Sequence, residues 1–239
     1  MPADEQPVAS VWTRPQRRRE QPALSRAQIV AEALDLLDTE GLEALSMRKL
    51  GARLDAGATS LYRHVATKDE LIELVVDEVY GQIEVPDIWG RDWRSAVTVC
   101  ATSARAVLVK HAWMASVLGQ VGLAYLGPNV MRLNERMLAL FEAAGFSLPE
   151  ADLALSTVMA YVIGMGTTEA AWLTTLARSG RSEQEWMDSL RPAAAEATKP
   201  YPRLHALTTA SDEDVEGARA DGFRYGLERV LDGLAARLG

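Results

Sequence analysis

From Ile29 onward, apolar residues recur at helical spacing and polar capping residues punctuate them. Ser25 with Gln28 forms a capping box, and Ile29, Ala33, Leu36 and Leu37 continue a one-sided stripe up to Gly41. Ser46 is a second N-cap candidate; Met47, Leu50 and Leu54 behind it mark a helix too short to stand without neighbours. After the break Asp55-Ala56-Gly57, another very short helix is predicted from Thr59 to Val65, holding Leu61 and Val65. Thr67 with Glu70 makes a further capping box and opens the long stripe Leu71, Ile72, Val75, Val76, Val79 and Ile83. Two short helices about a tight turn, flanked by longer ones, predict a helix-turn-helix module over residues 25–84.

Pro, Gly and Trp then mark 85–91 as a linker. Beyond it the pattern predicts helices over 92–110, 113–118, 128–144 and 149–177. Pro128 takes a first-turn position, and Ser147 with Glu150 is another capping box. Residues 179–202 contain Pro192 and Pro200 with Pro202 at their end, and read as an irregular segment with one short docked helix at Trp186, Met187 and Leu190. Ser211 caps a last helix with the row Val215, Phe223, Leu227, Val230, Leu234 and Leu238; Asp212, Glu213, Asp214 and Glu216 complement its dipole. No run alternates with period two, so the fold class is all-α, with a larger helical domain over 92–239 behind the module.

Composition narrows the function. Apolar residues at 48% and charged residues at 24% exclude a disordered chain. Cys100 is the single cysteine, which excludes a disulfide scaffold. The polar start and the lack of an uninterrupted apolar stretch of transmembrane length point to a soluble, cytoplasmic protein without a membrane partner. A net charge of -8 argues against nucleic acid as a partner, yet residues 1–68 hold 10 Lys+Arg against 9 Asp+Glu while the rest hold 15 against 24. A locally basic front end can bind phosphates because distant acids are screened beyond about 8 Å.

The segment from Thr59 to His64 carries small and polar groups on one side, so its backbone can approach a major-groove floor while Leu61 and Val65 face inward. Thr59 and Ser60 are candidates for base edges or a thymine methyl, Arg63 for guanine or a phosphate, and Arg48 for a phosphate or a base. Tyr62 and His64 either hold phosphates at the groove edge or pack the module. Lys68 heads a helix and suits a phosphate there.

Ser46 to Lys68, SMRKLGARLDAGATSLYRHVATK, and above all Leu61-Tyr62-Arg63-His64-Val65 with Lys68, resembles the DNA-binding domain of the tetracycline-repressor (TetR) family of bacterial transcriptional regulators. Gly145-Phe146-Ser147-Leu148, Ala154-Leu155-Ser156, Gly164 and Phe223-Arg224-Tyr225-Gly226-Leu227 resemble the C-terminal domain of the same family. Asp55 stands where the family's turn usually has Gly, and Asp tolerates left-handed dihedrals. The resemblance implies a homodimeric repressor that binds a palindromic double-stranded DNA operator and is released by a small-molecule inducer. The tetracycline repressor's eighth helix carries a carboxylate that helps hold the drug's magnesium. Thr168 falls at that place, with Glu169 one residue on, so tetracycline itself is not the expected ligand; neither a metal nor another cofactor is expected.

Residues 1–24, with Arg14, Arg17, Arg18 and Arg19, read as a flexible basic arm, either contacting DNA or solvated. Ala218, Gly222 and Gly226 recur every four residues and suggest close approach by another helix. That helix lies either in the same chain or, as the resemblance implies, in a second subunit. Tyr161, Met165, Thr168, Glu169 and Trp172 line one long helix beside Gly164 and Gly166. With Trp113 opposite and Trp186 as a lid, they form either a pocket wall for a largely apolar, ring-containing inducer or ordinary core. His64, His111 and His205 are too scattered for a metal site, and Cys100 reads as core. Two alternatives are an all-helical small-molecule-processing enzyme, for which no nucleophile sits at a recognisable spacing from a base, and a helical scaffold that does not bind DNA. Tyr62, His64 and Lys68 argue against the scaffold.

Overall fold

The structure is a computed structural model that describes residues 24–86, 92–118, 127–210 and 215–238. Among these residues the chain is helical and contains no strand: α1 (Arg26–Glu40), a 3-10 turn (Leu42–Ala44), α2 (Met47–Arg53), α3 (Ala58–Tyr62) and α4 (Lys68–Tyr80) come first. They are followed by α5 (Trp93–Lys110), α6 (Met114–Leu118), α7 (Pro128–Ala143), α8 (Leu148–Ser179), α9 (Glu183–Thr198), α10 (Pro202–Thr209) and α11 (Val215–Ala235). The basic arm, the linker from 87 to 91, and the cap at Ser211 with Asp212, Glu213 and Asp214 lie outside the described residues.

Local chemistry accounts for most helix starts. At α1 the Ser25 hydroxyl accepts from the Gln28 N–H while the Gln28 side chain takes the Ser25 N–H. Thr67 accepts from the Glu70 N–H, but the Glu70 carboxylate reaches past the cap to the Ala66 N–H, so only half of the expected box forms. Asp92 caps α5 through the Ser95 N–H at 3.2 Å. The Glu150 carboxylate accepts from both the hydroxyl and the N–H of Ser147, which holds its pKa below the usual carboxylate range.

The front core joins Ile29, Ala33, Leu36 and Leu37 of α1 to Leu50, Leu61, Val65 and the buried face of α4, each buried Ile, Leu or Val worth about 1.5–3 kcal/mol. Behind it, α8 packs on α5, α7 and α11. Ala96, Ala101 and Ala104 on α5 and Ala151 and Ala154 on α8 bring small side chains into this core. Trp93, Phe141 and Phe146 form an aromatic cluster with centroids 5.6–5.9 Å apart. Cys100 is core as expected, and burial pushes its thiol up to about 12.

Two readings of the pattern need correction. The segment expected to be irregular holds the 16-residue helix α9 followed by α10. Ser182 and Glu185 form a complete capping box, and the alanine-rich run after Pro192 favours helix. Pro192 sits at an exposed position where water can take the carbonyl it leaves unbonded. The third helix also starts earlier and ends sooner than predicted, leaving the helix at Arg63 in a turn where the N–H groups of His64 and Val65 both bond the Leu61 carbonyl.

α8 is long and apolar enough by composition to cross a membrane, with a mean hydropathy of 1.2 over its most apolar stretch. Here it is a core helix on one face, interrupted by Glu169.

Candidate nucleic-acid interface and ligand pocket

α2 and α3 meet in a turn that leaves no room for a side chain at Gly51. A Cβ there would lie 2.6 Å from the Ala56 carbonyl oxygen. The Ala56 N–H closes the turn on the Gly51 carbonyl at 2.9 Å, and Asp55 adopts φ 48, the left-handed conformation that Asp accommodates. Leu61 and Val65 are buried beneath α3. Thr59 and Arg63 stand exposed, Tyr62 is 51% exposed, and Ser60 and His64 are half-buried. Tyr62 therefore does not pack the module, while the His64 carbonyl accepts from Arg26 Nε at 3.3 Å, tying the end of α3 to α1.

The cations near this edge divide into two sets. Arg53 is held by Glu32 and Asp35, and Lys49 by Glu40, fastening α2 to α1. The hydrogen bond to Glu32, followed by that to Asp35, raises the Arg53 pKa further. Arg48, Arg63 and Lys68 are exposed and form no ion pair among the described residues, so their charge faces outward. Lys68 is the first residue of α4, where the positive end of the helix dipole adds to its own charge.

Of the residues expected to wall a pocket, Tyr161, Glu169, Trp172 and Trp186 are linked through Arg105, Phe223, Arg219 and Glu183, whereas Trp113, Met165 and Thr168 lie apart from them. Trp113 is buried and donates its indole N–H to Asp38 of α1 at 2.8 Å. Tyr161 stacks on Phe223 and donates its hydroxyl to the Phe223 carbonyl at 2.9 Å; burial raises its pKa. Glu169 accepts two bonds from Arg105, at 2.6 and 2.8 Å, with Arg219 Nε 3.6 Å away. Arg219 also pairs with Glu183, which accepts from the Trp172 indole at 2.7 Å, and Trp172 meets Trp186 edge-on. Thr168 returns its hydroxyl to the Gly164 carbonyl at 2.7 Å and, like Met165, is exposed. An apolar cavity lies elsewhere, among Val79 of α4 and Ile83 in the turn beyond it, Val107 and Leu108 of α5, Met114 of α6, and Met159 and Ile163 of α8. Its volume of about 10 Å³ is the space of a single water. No local spacing announces it, because four helices contribute.

The small-residue row of α11 also divides. Gly226 lies against the Tyr161 ring, where a Cβ would collide, so its close approach is within the chain. Ala218 and Gly222 are exposed, with open space at Gly222. The outer face of α8, running through Leu153, Thr157, Ala160, Gly164, Thr168, Ala171 and Thr175, is exposed and carries no charge. Exposed Tyr225 stands on α11.

Asp77, buried on α4, joins the front module to the body. Its carboxylate accepts the backbone N–H groups of Asn129 and Val130 at 2.9 and 3.0 Å and the Asn129 side chain at 3.0 Å, capping α7.

A short, shallow helix projecting from a three-helix head, with α4 leading into a helical body, defines a helix-turn-helix DNA-binding regulator. Residues 29–75 match the model of bacterial regulatory proteins of the tetR family, and residues 86–238 match the tetracyclin repressor-like C-terminal domain. The chain belongs to the tetracycline-repressor family of bacterial transcriptional regulators. It is 36% identical to an HTH-type transcriptional regulator of Saccharopolyspora erythraea, over 96% of this chain and 93% of the relative. It is 33% identical to the HTH-type transcriptional repressor DrrR1 of Streptomyces coeruleorubidus, over 91% and 79%. The Streptomyces coelicolor TetR family protein ActR, solved in complex with actinorhodin, superposes with a TM-score of 0.72 at 30% identity, over 90% of this chain and 99% of that one.

Proposed function

We infer that this protein is a homodimeric, ligand-responsive transcriptional repressor that binds a palindromic operator and leaves it when a small molecule binds its body. The observation that carries this reading is the exposed edge of α3, with Thr59, Tyr62 and Arg63 turned outward near Arg48 and Lys68, exposed cations that form no ion pair among the described residues. Residues 25–84 act as the reading head and residues 92–239 as the ligand and dimerisation domain. DrrR1 is named a repressor and ActR binds actinorhodin, and both relationships support a repressor with an organic effector here.

The dimer forms through the uncharged outer face of α8 together with Ala218, Gly222 and Tyr225 of α11, since a helix face of this length without charge is stable in water only when covered. Met165 and Thr168 then belong to the dimer face, and Gly226 to intrachain packing. The inducer is apolar and ring-containing, needs no metal, and opens the cavity between Met114 and Met159, whose flexible thioethers can re-pack around it. Such a regulator works in the cytoplasm, on chromosomal DNA.

The deciding experiment is selection of bound duplexes from a random-sequence pool, followed by sedimentation of protein alone and with the selected duplex. A two-fold symmetric site bound by two chains is expected. A sequence-independent pool, or a single chain bound, overturns the reading.

A further inference from the structure

The joint between head and body contains a buried histidine that the DNA-reading surface does not use. His111, at the end of α5, is 1% exposed. Its Nδ1 donates to Asp38 Oδ1 on α1 at 2.7 Å, and the same oxygen accepts the Trp113 indole N–H. Its Nε2 stands 3.1 Å from Gln82 Oε1, in the turn that ends α4, and that oxygen also accepts from Lys110 Nζ at 3.0 Å. An ammonium only donates, so Gln82 must turn its oxygen towards Lys110. Both imidazole nitrogens therefore face acceptors, an arrangement complete only when both carry protons.

The neutral ring needs a different geometry. One nitrogen then has a lone pair and requires a donor, so the Gln82 amide must rotate by half a turn, and Lys110 loses its acceptor. The charged groups around the site are Asp38 from α1 and Lys110 beside His111. Glu40 and Glu43 on the head side, and Arg178 of α8 on the body side, line the adjoining cleft of about 690 Å³. Of these, Asp38 bonds the ring directly and Glu40 is taken up by Lys49, so Asp38 sets the balance.

We propose that His111 of the body is held as an imidazolium between two groups of the head, Asp38 and Gln82, and that its deprotonation loosens the head on the body and weakens operator binding as pH rises. Asp38 and His111 are thus positioning residues, fixing the angle at which α3 is presented. The second half of the proposal rests on the repressor reading; the first half does not.

The test uses full-length protein with 15N-labelled histidine, followed by NMR across about pH 5 to 8, the range in which imidazole ordinarily changes charge. The expected spectrum shows His111 doubly protonated at the acidic end and losing one proton in a single transition. Gln82→Glu shifts that transition to higher pH and Gln82→Met to lower pH; both changes are at an exposed residue that leaves the core intact. A ring that stays neutral throughout, or a transition that ignores both substitutions, overturns the bridge.

Operator affinity is then titrated over the same range on a duplex selected from a random pool. His64 also lies at the reading edge, so the informative quantity is the difference between the wild-type protein and His111→Gln. The wild type is expected to lose at least about fivefold more affinity than the variant as pH rises. Equal pH dependence in the two proteins overturns the positioning role. Failure to select any duplex would refute the repressor reading while leaving the NMR result to decide the bridge.

Discussion

Gly51 and Ala56 approach so closely that a single added methyl group at Gly51 would stand 2.6 Å from the Ala56 carbonyl oxygen. The obstacle is backbone within a hydrogen-bonded turn, so no rotamer change relieves it. Gly51→Ala is expected to destabilise the head by about 1–3 kcal/mol and to displace α3. Thermal unfolding and DNA binding check this together; an unchanged melting curve with full operator affinity would contradict the turn geometry.

Arg63→Ala and Thr59→Ala are expected to change base preference, whereas Lys68→Ala should weaken binding to all sequences alike. A base contact is worth about 1–3 kcal/mol of discrimination, while a phosphate contact contributes through counterion release. Titrations on matched and scrambled duplexes at several salt concentrations separate them. Lys68→Ala should reduce the salt slope by about 1. Uniform losses for all three variants would remove α3 from the reader's role.

Asp77 caps α7 from another helix, so removing its carboxylate leaves the N–H groups of Asn129 and Val130 without their acceptor. Asp77→Ala should cost about 1–3 kcal/mol. Asp77→Asn keeps an oxygen and should cost less. Equal stability of the two variants in denaturant unfolding would argue against the cap.

The outer face of α8 makes a sharp distinction available. Ala171→Arg and Gly222→Leu should convert a dimer into folded monomers, since both positions are exposed in the single chain. Gly226→Ala should instead lower the melting temperature, because its Cβ meets the Tyr161 ring of the same chain. Sedimentation at micromolar concentration alongside thermal unfolding tells these apart; a wild type that is monomeric throughout sinks the dimer.

Acid should erode the helix caps. Hydrogen bonds from Ser147 and Ser182 depress the pKa values of Glu150 and Glu185, and the bond from Arg94 depresses that of Asp232. Groups with lowered folded-state pKa values contribute stability above the unfolded carboxylate range and lose it as pH falls through and below about 4. Ser182→Ala should flatten that loss slightly in melts recorded from neutral pH downwards. A steeper loss in the variant would contradict the assignment.

The head was legible because its signals are local: Ser25, Ser46 and Thr67 each mark a helix start within three residues of the group they bond. The exposure of its candidate binding residues was equally readable, since a short helix with Leu61 buried must turn Thr59 and Arg63 outward. α9 was hidden by prolines, which outweighed a Ser182 and Glu185 box of the same kind as those recognised elsewhere. The body's sites were hidden for another reason. Arg105 meets Glu169 across 64 positions and Trp113 meets Asp38 across 75, and nothing in helical periodicity says which distant side chain an apparent pocket residue has already engaged.

The alternating charges Arg105, Glu169, Arg219 and Glu183 run through α5, α8, α11 and α9 in turn. Taking away Glu169 leaves Arg105, and taking away Arg219 leaves Glu183, largely buried without its ion partner, a loss of several kcal/mol, whereas apolar replacement of a whole pair can be nearly neutral. Four helices are thereby tied by one line of charge, and substitution in pairs disturbs it less than substitution singly.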